Sequence, residues 1–96
     1  MLFPVCLSAA GEKYRVVVPD IPGCEVVDDD RQRAITKAHL RIEGVISQLL
    51  IDGAALPETS AIREVRERPE YASAEVYEIH INTVHLSAVA RHQAGR

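Results

Sequence analysis

The sequence predicts an α+β domain of two layers, ordered β-β-β-α-β, with an antiparallel meander covered by one long helix and a last strand joining the sheet. Three observations predict it. Short runs rich in β-branched residues fill the segment from Leu2 to Val27, broken by Gly and Pro. Apolar residues then recur at three- and four-residue steps from Ile35 to Leu49. Strict alternation returns between Ala74 and Thr83.

Leu2 to Ser8 reads as the first strand, with Phe3, Val5 and Leu7 on one face. Pro4 has no N–H to give a ladder, which marks an edge or an unpaired position. Ala9-Ala10-Gly11-Glu12 is a turn signal, and Lys13 to Val18 a second strand whose Tyr14, Val16 and Val18 share a face. Pro19 ends that strand. Pro22-Gly23 suits the two central positions of a type II turn, because proline pre-sets the first and glycine supplies the positive φ of the second. Cys24 to Val27 begins the third strand.

The helix follows three aspartates. Ile35, Ala38, Ile42, Val45, Ile46 and Leu49 form its apolar face. Asp29 or Asp30 stands where an N-cap belongs, and Gly53 where a C-terminal glycine belongs. Such a helix is roughly 33 Å long, enough to cross a small sheet. Thr59 or Ser60 is placed to cap a short second helix with Ile62 and Val65 inward, a Glu64–Arg68 pair outside, and Pro69 as its stop. In the last strand Tyr77, Ile79 and Ile81 share one face and Glu78, His80 and Asn82 the other. Residues 1–83 form the domain; residues 84–96 read as a short polar, basic tail.

Composition narrows the function. Ninety-six residues make one small domain, 47% hydrophobic and without Trp, with a core of Val, Ile, Leu and Ala. A domain this small buries a modest share of its surface, so a homo-oligomer, dimer or tetramer, is expected. A net charge of -3 lacks the basic footprint of a nucleic-acid binder. Two cysteines make no disulfide framework, and the N-terminal run is neither a signal peptide nor a spanning helix, so a reducing cytoplasm is the expected compartment.

Asp28, Asp29 and Asp30 invite comparison with metal-binding carboxylates. The first strand, however, contributes no acid to complete such a site. Helix capping accounts for one of them, and an acidic rim facing a basic partner suits the excess. Cys24 has Glu25 and the aspartates nearby, which favour the neutral thiol over a nucleophile. His80, His85 and His92 match no metal-ligand spacing. No catalytic residue, metal site or cofactor is therefore expected. The expected partner-binding residues are Glu25, Asp28, Asp29, Asp30, Glu78, His80 and Asn82.

Phe3-Pro4-Val5, Tyr14, Val16, Pro19-Asp20-Ile21-Pro22-Gly23-Cys24, Asp29, Ala34, Ala38 and Ile42, in that order, resemble the HicB-type antitoxin family. Asp52-Gly53 with Pro57, and Arg68-Pro69-Glu70-Tyr71, extend the resemblance over residues 2 to 82. It implies a partial ribonuclease-H-like fold without nuclease activity. It also implies a partner, a small basic HicA-type toxin that cleaves mRNA with a histidine and whose active site the antitoxin covers. Pro19, Asp20, Pro22, Gly23 and Cys24 are then structural motif residues. Many family members carry a C-terminal DNA-binding module; residues 84–96 are too few for one, so DNA binding is not expected. Two other functions fit the composition: a stand-alone oligomeric binding or structural module, and a small metal-dependent nuclease or hydrolase.

Overall fold

In the computed structural model the backbone is described for residues 1–94 and the side chains for residues 1–88. The elements are β1 (Leu2–Ala10), β2 (Lys13–Val17), β3 (Glu25–Asp28), α1 (Arg31–Asp52), α2 (Ile62–Arg66), a 3-10 turn (Pro69–Tyr71), β4 (Glu75–His80) and α3 (Thr83–Ala94). All strand pairs are antiparallel, and the sheet order is β3-β2-β1-β4. The expected α+β architecture is the one observed.

Local chemistry sets the boundaries. The β2–β3 connection closes with Cys24 N–H donating to the Ile21 carbonyl at 3.0 Å, and Gly23 takes φ 79°. That is the positive φ a type II turn demands at its second central residue. Asp30 caps α1 by accepting the Arg33 N–H at 2.8 Å. Gly53, at φ 67°, ends the helix in the left-handed region. Pro4 lies where β1 is paired with β4 alone, since the β2 register begins at Cys6. The α2 cap differs from expectation. Ala61 holds the N-cap position without a side-chain bond, because Ser60 is turned toward Asp20. Arg68 points at the Ser60 hydroxyl rather than pairing with Glu64.

The main core lies between one sheet face and the helices. Phe3, Val5, Leu7, Val16, Val26, Ile79 and Ile81 meet Ala34, Ala38, Ile42 and Ile46 of α1 and Leu86 of α3. The opposite sheet face is partly covered too, for Cys6 and Val76 bury against Val65 of α2, with Ile62, Tyr71 and Ala74 alongside. The residues after β4 are not a tail. Asn82 starts α3, accepting the His85 N–H on its side chain and the Leu86 N–H on its carbonyl, and Leu86 enters the core. Gly95 and Arg96, the end of that segment, lie outside the described residues. No helix among the described residues is long and apolar enough to cross a membrane.

Candidate functional site

The seven residues expected to meet a partner fall at opposite edges of the sheet. Glu25, Asp28, Asp29 and Asp30 belong to β3 and the turn into α1; Glu78, His80 and Asn82 belong to β4 and the turn into α3. Three inter-strand steps separate the edges, about 14 Å.

The acidic corner is already engaged within the chain. Asp28 follows the alternation of Val26, so its side chain points toward α1, and it is 5% exposed. There it meets Arg33 Nε at 2.9 Å and Lys37 Nζ at 2.6 Å, and its Oδ1 accepts the Asp30 N–H at 2.9 Å. The Lys37 hydrogen bond first, then the Asp30 backbone bond, hold its carboxyl well below the usual range against the opposing effect of desolvation. Asp29 points outward, 3.7 Å from Lys13. Asp30 is the cap. Glu25 bonds Arg15 across the sheet at 2.7 Å. The three aspartates thus serve three separate tasks. Among the described residues no group of three or more His, Cys, Asp or Glu side chains is placed to hold a metal ion.

The β4 edge is different. Glu78 and His80 lie opposite Pro4 and Leu2 in the β1–β4 register, on the sheet face away from α1. Both are exposed, and Leu2 beside them is 48% exposed. Glu78 has no salt-bridge or hydrogen-bond partner among the described residues. On the other face Tyr77 stands under Arg31, whose guanidinium carbon is 5.4 Å from the ring centroid. Arg31 donates to both Glu75, at 2.7 Å, and the Tyr77 hydroxyl, which itself donates to Glu75 at 2.6 Å. The Tyr77 bond first, then Arg31, lower the Glu75 pKa. Asn82 is occupied in capping α3.

Sequence reasoning missed one contact that the structure makes. Asp20 of the Pro19–Cys24 motif accepts both the N–H and the hydroxyl of Ser60, at 2.7 and 2.6 Å, tying the β2–β3 turn to the loop before α2. The cysteines are buried on opposite sheet faces, and burial pushes the Cys6 thiol up to about 11 and raises that of Cys24. Neither thiol is poised as a nucleophile.

Residues 3–93 match the profile described as the HicB-like antitoxin of a bacterial toxin-antitoxin system. The chain belongs to this family. It is 32% identical over 90 residues to an uncharacterised 14.9 kDa protein of the rep-hol intergenic region of Haemophilus phage HP1 (strain HP1c1), covering 94% of this chain and 68% of that protein. The fold superimposes on the crystal structure of the Burkholderia pseudomallei antitoxin HicB with TM-score 0.80 and 31% identity, covering 90% of this chain and 65% of that one. The chain thus spans about two thirds of the length of these relatives. A complex of the HicA3 toxin and HicB3 antitoxin contains a chain of like fold, at TM-score 0.67 and 20% identity, covering 85% of this chain and 99% of that one.

Proposed function

We propose that this HicB-like chain neutralises a small, basic HicA-type mRNA ribonuclease by binding it and covering its active site, and that it performs no catalysis itself. The observation that carries this reading is the family match across residues 3–93. The fold shared with a chain of a toxin–antitoxin complex supports it. So does the chemistry, since neither thiol is activated and the aspartates are committed to cations and a cap. Of the candidate contact residues, Glu78 and His80 are exposed on β4, whereas Glu25, Asp28 and Asp29 already hold cations of this chain.

Co-expression tests the reading. The product of the adjacent gene is expressed alone and together with this chain, and growth, co-purification and mRNA cleavage are followed. The toxin alone arrests growth; the pair co-purifies, growth returns and cleavage stops. A toxin that stays active in the presence of this chain refutes the reading, as does RNA cleavage by the purified chain with magnesium or manganese. The antitoxin acts as a homo-oligomer in this account, which light scattering reads directly; a monomer at working concentration overturns that part alone.

A further inference from the structure

Resting on the antitoxin reading, we infer that the toxin docks on the β4 edge, adding a strand of its own beside Glu75–His80, and not on the acidic corner at β3. The sheet has two free edges, and both offer unpaired backbone N–H and C=O groups that another strand can satisfy. They differ in which charge is left unpaired. Alongside β3, Lys37 and Arg41 line a groove of about 750 Å³ with Val26, Leu40 and Gly44. Arg41 has no carboxylate partner among the described residues. Lys37 is held by Asp28, but Arg41 stands ready to turn a basic partner away, and a charged flank of this kind protects an edge from pairing. The acids at that end are engaged within the chain, because Asp28, Asp29 and Glu25 each hold a cation and Asp30 caps α1.

The β4 edge has the complementary character. It is six residues long against four for β3. Glu78 on it is exposed and unpaired, so a lysine or arginine of the partner meets a carboxylate that gives up no existing bond. Tyr77 on this strand, and Leu2 on the neighbouring β1 and the opposite sheet face, are exposed apolar groups for the partner to cover. A basic strand placed there gains backbone hydrogen bonds, an ion pair and apolar contact together. The charge contributes chiefly to the rate of association and to its dependence on salt.

The test uses the whole chain with a HicA-type toxin whose catalytic histidine is replaced, so that both are produced safely. Affinity is measured for the wild type, Glu78→Lys and Arg41→Glu, with circular dichroism to establish that each variant is folded. Hydrogen exchange of the wild-type complex is read in parallel and needs no variant. Glu78→Lys is expected to weaken binding about tenfold, the effect of one repulsive contact replacing an attractive one. Arg41→Glu leaves it within about twofold. Amides of residues 75–80 gain protection in the complex, while those of 25–28 do not. Binding that survives Glu78→Lys, with residues 75–80 unprotected, overturns this docking geometry and leaves the antitoxin reading intact. Wild-type chain that neither binds nor neutralises the toxin overturns both.

Discussion

Replacing Asp20 by alanine is expected to destabilise the chain by about 2 kcal/mol, although Asp20 lies outside both helix layer and core. Its carboxylate holds Ser60 through two bonds, 2.7 Å to the N–H and 2.6 Å to the hydroxyl. Hydrogen bonds to a charged group contribute about 1.5–3 kcal/mol each when buried. The two share one carboxylate and the site is half-buried, so the lower end applies to the pair. In a domain of this size that lowers Tm by roughly 8–16 °C. Ser60→Ala removes the hydroxyl bond alone and costs about 1 kcal/mol. Because the residues touch, the double variant is less damaged than the sum, by about 1 kcal/mol. Urea and thermal unfolding of the four proteins, followed by circular dichroism, complete the cycle. A loss below about 0.5 kcal/mol for Asp20→Ala, or strict additivity, refutes the view that Asp20 clamps the loop before α2.

Other expectations concern separate parts of the chain. The ionised form of Asp28 is favoured by folding, so its contribution is present above about pH 4 and is lost as pH falls from there toward its depressed folded value. Asp28→Asn should therefore be less stable at neutral pH and show a flatter loss of stability in acid; an unchanged acid limb refutes this. Gly44 has no positive φ, and an added Cβ meets nothing within 4 Å, so Gly44→Ala should raise stability by about 0.5–1 kcal/mol in thermal melts. A fall on that substitution means that another chain approaches the helix there. Both cysteine thiols should react slowly with a thiol reagent in the folded chain and readily once urea unfolds it, their burial being the cause; fast native labelling refutes the packing described for them.

The parts of the fold legible in the sequence were those that backbone chemistry dictates locally. Pro22-Gly23 had one economical use, and Asp30 and Gly53 bracketed a periodic apolar face. The C-terminal helix was missed because its apolar content is thin. Its signal was Asn82 at a capping position followed by Leu86, Val89 and Ala90 at helical spacing. Asp28 was grouped with its neighbours because three aspartates in a row look alike. Alternation from Val26 already assigned Asp28 to the helix side, and only the fold brings Lys37 back over it. Val76 was hidden for a related reason. The alternation puts it opposite Ile79, and its burial depends on α2 folding onto the second sheet face. For the candidate site the sequence offered the acids but not which of them were already spoken for, since Arg15–Glu25 and Lys13–Asp29 are meetings between strands and turns that spacing does not reveal.

The register of β1 has a consequence for synthesis. Leu2–Leu7 finds its β4 partner only in residues 75–80, so β1 is made long before the strand that pairs with its outer side. At about 5–20 residues per second, the interval is several seconds. Throughout it, one flank of the nascent sheet stays bare and Phe3 and Val5 lack their neighbour Ile79, leaving the newborn chain open to proteases and to stray pairing until β4 is made.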